Sequence, residues 1–251
     1  MWRSTRMVVL TSISAALYAA ILIPFKVVPI IPGITEFRPA NAVPIVCSFL
    51  FGPAGAWGSA FGNLIGDFFG GLGPGDLFGF VANLAYGFVP YAVWEATFDE
   101  PPTAATLGGS VALMATIALA SLLCATIVGW GLNWLGFHPF TLLGPVVFVN
   151  DVVAAGVLAP LLLRVLYPRI AKARLLYRDV LGPRPARSRL RRALGVGLVT
   201  AGTLAAFAAG EAIGGGWRPP WAFVHSASGS AEIGFGLMPF LGVVVLGCAL
   251  L

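Results

Sequence analysis

Eight apolar stretches, each near the ~20 residues that a helix needs to cross a bilayer, follow one another through this chain with only short breaks of proline, glycine and charge. Hydrophobic residues fill 58% of the 251 positions and charged ones only 10%, too few to coat a water-soluble domain. The chain therefore reads as an all-α polytopic membrane protein. The breaks place helices near 7–26, 38–53, 55–71, 77–98, 106–134, 139–166, 193–212 and 232–251. The uncharged Phe51-Gly52-Pro53-Ala54-Gly55 is too short to be anything but a hairpin bend between the second and third helices. Residues 27–37, with Pro29, Pro32 and Gly33, read as a loop. Arg3 and Arg6 ahead of the first apolar run imitate a signal peptide. Lys26 follows that run, where small residues would mark a cleavage site, so the run is expected to stay as the first helix.

Ten of the fifteen basic residues lie between Arg164 and Arg192, accompanied only by Asp179. By the positive-inside rule this stretch is cytoplasmic, as is the N-terminus with Arg3 and Arg6, and six spans between them give the right parity. A juxtamembrane basic run of this kind sets orientation and touches anionic membrane lipid; nucleic acid is not the partner it points to. Residues 27–37 and the turns 72–76 and 134–138 then fall outside and are expected to roof a pocket.

Polar groups inside membrane helices are costly and need a purpose. Between Arg38 and Asp76 the apolar background is broken by Arg38, Asn41, Asn63, Asp67 and Asp76. The expected pocket lining is Glu36, Arg38, Asn41, Asp67 and Asn133, with Asn63, Asn83, Asn150 and Asp151 deeper, and Tyr86, Trp130 and Trp134 as stacking surface. Asn63 and Asp67, four apart, share a helix face, as do Asn83 and Tyr86, three apart. Each such residue also serves to tie helices together by an interhelical hydrogen bond; the whole outward-facing set points to a ligand site. In the first helix, two rows of small residues, Thr11-Ala15-Ala19 and Ser12-Ala16-Ala20, flank Tyr18 and allow close helix approach, either within the chain or to a separate subunit. Cys47, Cys124 and Cys248 have neither metal-ligand nor disulfide spacing and read as buried thiols.

The run Ser14-Ala15-Ala16-Leu17-Tyr18-Ala19-Ala20, the run Phe37-Arg38-Pro39-Ala40-Asn41, and Leu50-Phe51-Gly52-Pro53-Ala54-Gly55-Ala56-Trp57-Gly58 continuing to Gly62-Asn63-Leu64-Ile65-Gly66-Asp67 resemble the substrate-binding S components of energy-coupling factor (ECF) transporters. The resemblance covers about residues 7–166. It implies a six-helix membrane bundle that captures a vitamin, cofactor precursor or metal from outside, with a transmembrane coupling subunit and two ATPase subunits supplying the drive. Some relatives are associated with queuosine precursors and others have no assigned substrate. The resemblance also implies that Ala15, Ala16, Ala19 and Ala20 form the face that docks on the coupling subunit. The expected organisation is then a substrate-binding bundle over 1–166, a basic cytoplasmic linker over 167–192, and two additional transmembrane helices over 193–251. In the loop before the last helix, which contains Trp217, Arg218, Trp221 and His225, Arg218 between two tryptophans is read as an interfacial anchor.

Other classes lack their required groups. His138 and His225 have no partner at helical spacing, no serine sits in an elbow pattern, and no phosphate-binding Walker loop occurs, so no enzyme and no cofactor are expected. Metal cargo would draw on only Glu36, Asp67, Asp76 and His138, which favours an organic substrate. A self-sufficient ion-coupled secondary transporter, with Asp151 or Asp67 as its ion site, is the alternative; the stretch Gly58–Asp67 finds no repeat counterpart in the second half.

Overall fold

A computed structural model describes residues 1–25, 29–31, 35–36, 38–182, 187–222 and 230–251. Among these residues the chain forms helices α1 (Thr5–Phe25), α2 (Ala42–Phe51), α3 (Pro53–Phe68), α4 (Asp76–Thr97), α5 (Leu107–Trp134), α6 (Phe140–Lys172), α7 (Tyr177–Leu181), α8 (Arg189–Gly214) and α9 (Ser230–Leu250). The stretch expected as a loop holds a small antiparallel ribbon, β1 (Pro29–Ile31) with β2 (Thr35–Glu36), in which Pro29 faces Glu36 and Ile31 faces Thr35. The architecture is all-α and polytopic.

Among the described residues, six stretches are long and apolar enough to cross a membrane: α1, α4, α5, α6 with its continuation into α7, α8 and α9. The expectation of eight full spans is corrected at α2 and α3. At 1.5 Å per residue, the 10 residues of α2 reach about 15 Å and the 16 of α3 about 24 Å, against a hydrocarbon core of about 30 Å. They still make one trip in and out. Gly52 alone separates them, with φ of 53°, and a Cβ there would lie 2.7 Å from Tyr177 Cγ of α7. A 3-10 turn, Pro39–Asn41, precedes α2 and adds only about 6 Å at ~2.0 Å per residue.

The sixth helix was expected to stop at 166. It runs through Pro160 and Pro168 to Lys172, with Arg169 and Lys172 in its last turn, where cations favour the negative end of the helix dipole. The basic linker is thus partly helical: the end of α6, all of α7 and the start of α8 fall inside it. Thr106 and Ser188 start α5 and α8 by accepting the backbone N–H groups of Gly109 and Arg191.

Helix packing follows small residues, as it must where lipid removes the hydrophobic drive. α1 lies on α3 so closely that a Cβ at Gly62 would come within 2.8 Å of the Ala15 carbonyl oxygen and 2.9 Å of Tyr18 Cβ. At the α3–α4 contact, a Cβ on Gly87 would meet Ala56 Cα at 2.7 Å. The main core joins α1, α2, α4, α5, α6 and α7 residues, including Met7, Ile45, Val89, Ile117 and Leu163. α8 and α9 form a hairpin packed on α5, so the two additional helices belong to the bundle wall. Phe140 is buried there with Ile213, Ile233 and Leu237.

Two ends of the bundle can be told apart. At the basic end sit the α2–α3 bend, the C-terminus of α4, α7 and the start of α8: Arg178 lies 3.8 Å from Glu95, and Arg187 donates to the Leu250 carbonyl at 2.9 Å. The ribbon and the 134–138 turn lie at the other end, one helix length away.

Candidate substrate cavity

The 3-10 turn that shortens α2 brings irregular backbone into the depth of the bundle. In a membrane such backbone is tolerated only where it is covered by protein or lines a cavity. It does so here. A cavity of about 90 Å³ is lined on its polar side by Arg38, Asn41, Asn83, Asn150, Asp151 and the hydroxyls of Tyr18 and Tyr86. Cys124, Val128, Leu132, Leu143 and Val147 of α5 and α6 complete the wall.

The polar groups form a connected set. Asp151, on α6 and 2% exposed, accepts a hydrogen bond from Asn41 Nδ2. The Tyr18 hydroxyl, on α1 and 1% exposed, lies 3.0 Å from Asn41 Oδ1 and 3.1 Å from Asn83 Oδ1, so one proton is shared between two carboxamide oxygens. Asn83 Nδ2 donates to the Gly79 carbonyl of its own helix at 2.9 Å, which fixes that amide. The Arg38 backbone N–H points to Asn150 Oδ1 at 3.4 Å. Tyr86 Oη and Ser121 Oγ are buried neighbours that fall short of hydrogen-bond geometry. A buried carboxylate is tolerable only when countered, and Arg38 is the basic residue that lines the cavity with Asp151.

Of the residues expected in the pocket, Arg38, Asn41, Asn83, Tyr86, Asn150 and Asp151 meet in this wall. Five others do not line it. Asn63 Nδ2 donates to Asp67 Oδ2 at 2.5 Å, and the pair seats against Gly79 on the α3–α4 seam, with Asn63 Oδ1 buried and unpartnered. Trp130 spends its indole N–H on the Gly234 carbonyl of α9 at 2.9 Å, and Trp134 packs over Gly234 and Phe235, so both rings serve the α5–α9 contact. Asn133 caps the turn after α5 by donating to the His138 carbonyl at 3.3 Å. The backbone of Glu36 is in β2; its side chain and His225 lie outside the described residues.

Tyr18 and Cys124 enter the wall unexpected. For Tyr18 a signal existed: Thr11, Ser14 and Tyr18 recur at spacings of three and four along one face of the helix, and all three are buried. The small-residue rows of α1 also separate. Ala15 and Ala19 are buried, with Ala15 pressed against α3 at Gly58 and Gly62, whereas Ser12, Ala16 and Ala20 are exposed alongside Ile13, Leu17 and Ile21.

A membrane bundle that buries an ionic and amide-rich cavity at the end of a broken helix has the build of a substrate-binding transport protein of the S-component type. The profile of the family described as QueT transporter matches residues 8–168, and the chain belongs to that family. The match spans α1 to most of α6 and contains every residue of the cavity wall. Comparison with curated proteins and with solved structures returned no match.

Proposed function

We propose that the chain is the capture subunit of an ECF-type importer and that its cargo is a queuosine precursor, held in the cavity between Arg38, Asn41, Asn83, Tyr86, Asn150 and Asp151. The observation that carries this reading is that one basic side chain, Arg38, and one acidic side chain, Asp151, line the same half-apolar cavity. A guanine-like base presents two adjacent N–H donors, which a carboxylate accepts side by side, and a carbonyl, which a guanidinium donates to. Val128, Leu132, Leu143 and Val147 supply the apolar face of the sandwich.

The cavity of about 90 Å³ has room for roughly three waters at ~30 Å³ each and is smaller than the roughly 300–1,000 Å³ of typical ligand pockets. Loading therefore requires the wall to part, and we assign that movement to Arg38 with the 3-10 turn, the irregular backbone of the wall. In this reading residues 1–166 capture the cargo, the N-terminus and residues 167–192 face the cytoplasm, and residues 193–251 buttress the bundle at α5. The exposed face of Ser12, Ala16 and Ala20 on α1 takes the coupling subunit, which works with two ATPase subunits.

The test is calorimetric titration of the purified chain with a 7-deazaguanine base, with guanine and with riboflavin, and copurification with candidate coupling and ATPase subunits. Tight binding confined to the deazaguanine, together with a stable complex, is the expected outcome. Binding of none of the three ligands, with no complex, refutes the proposal. The buried Asp151 also suits an ion-coupled carrier. Uptake by the chain alone in vesicles, driven by a proton or sodium gradient, distinguishes that alternative.

A further inference from the structure

The start of α8 and the residues just ahead of it carry four arginines in two different situations. Arg187, just ahead of α8, and Arg191 reach across to α9 and donate to the carbonyls of Leu250 and Ala249 at 2.9 and 3.4 Å, closing the end of the hairpin. Arg189 and Arg192 instead line a groove of about 670 Å³ against the end of α4, where Ala96, Thr97 and the exposed Asp99 form the opposite bank. Among the described residues neither guanidinium has an ion-pair partner, and Arg192 Nε is buried with no hydrogen-bond acceptor. Two guanidiniums lining a groove without an ion-pair partner leave a demand for an anion.

The groove continues beyond the arginines. Residues 189, 192–193 and 196–197 fall on one face of α8 at spacings of three and four, and Ala193, Val196 and Gly197 also line it. Gly197 is exposed, and a Cβ built there would meet nothing within 4 Å, so the trough stays open one turn deeper along the helix. A site with guanidiniums at the helix start and an open apolar trough running into the membrane suits an amphiphile better than a soluble anion. We propose that the groove between the end of α4 and the start of α8 is a specific site for one anionic phospholipid, its phosphate held by Arg189 and Arg192 and an acyl chain laid past Val196 and Gly197. Asp99 at the rim repels a second anion and favours a headgroup that also carries hydroxyl donors, such as phosphatidylglycerol. The site stands apart from the substrate cavity and does not depend on what that cavity carries.

The test is native mass spectrometry of the full chain in detergent with equimolar phosphatidylglycerol and phosphatidylcholine, repeated with excess glycerol 3-phosphate. Phosphatidylglycerol adducts should dominate and should survive the soluble phosphate. Each of Arg189→Gln and Arg192→Gln should reduce them about fivefold, from the usual worth of one basic residue at an anionic surface. Gly197→Phe, on an exposed position that leaves every charge in place, should reduce them by filling the trough, which keeps the test independent of any folding defect at Arg192. Equal retention of the two lipids, or adducts within twofold of wild type in both Arg189→Gln and Gly197→Phe, overturns the proposal. Displacement by glycerol 3-phosphate overturns the lipid assignment and makes the groove a site for free phosphate.

Discussion

Asp151→Asn is the sharpest probe of the cavity. The substitution changes no more than one oxygen into an NH2 group, so the shape of the buried site is preserved. Asp151 already accepts from Asn41 Nδ2, and the new amide must keep its oxygen on that side to avoid setting two donors against each other. Its NH2 group then faces the cavity, opposing the N–H donors of the base, and the charge that answers Arg38 is gone. A hydrogen bond to a charged group is worth about 1.5–3 kcal/mol, so affinity for a deazaguanine base should fall about 10- to 150-fold. Calorimetric titration in nanodiscs measures this, with thermal unfolding to verify the fold. A folded Asp151→Asn variant whose Kd lies within twofold of wild type would show that the carboxylate does not read the ligand, and the reasoning from buried charge would fail.

Tyr18→Phe leaves two carboxamide oxygens of Asn41 and Asn83 without their shared donor, at a cost of about 1–3 kcal/mol; the melting temperature should drop by about 2–4 °C for each kcal/mol in a chain of this size, and an unchanged value refutes the bridging role. Asp67→Ala, outside the cavity wall, should change ligand affinity less than Asp151→Asn does, and the reverse order in titration would return Asp67 to the site. Ala16→Trp and Ala20→Trp, on the exposed face of α1, should leave ligand affinity intact while abolishing uptake and complex formation. Ala15→Trp, pressed against α3, should instead destabilise the isolated chain in the same melting assay. Retained uptake in the Ala16 and Ala20 variants counts against the docking face.

Long helices were legible because their evidence is summed over twenty residues, and α1, α4, α5, α8 and α9 begin and end within a few residues of where composition puts them. The break before α2 was not. Nothing in Pro39-Ala40-Asn41 distinguishes a first helical turn with proline at its start from a 3-10 turn; the tertiary demand of the cavity decides it. The polar residues divide on the same principle. Asn41, Asn83 and Asp151 could be picked out by type, but the assignment of Asn63, Asp67, Trp130 and Asn133 to other tasks depends on which neighbour lies within reach. Trp130 looks like ligand-stacking surface until Gly234 of α9, more than one hundred positions away in the chain, takes its N–H.

The two faces of α1 show why the fold joins its seams and its cavity through the same helix. Against α3 the interface is made of Ala15, Gly58 and Gly62, where backbone meets backbone and a single added carbon would force the helices apart. One residue in that same contact, Tyr18, reaches past it with a hydroxyl that holds Asn41 and Asn83, and Asn41 in turn holds Asp151. The position of the carboxylate is therefore set by the α1–α3 distance, which the glycines keep minimal. A bulkier residue at Gly62 should then act on the ligand without touching it: Gly62→Ala, meeting the Ala15 carbonyl at 2.8 Å, should move Tyr18 and weaken binding even if the chain remains folded. Calorimetry on Gly62→Ala beside Gly197→Ala, where the added Cβ meets open space, separates this from a general effect of helical glycine loss; equal affinities in the two variants would mean that the cavity is insulated from the seam.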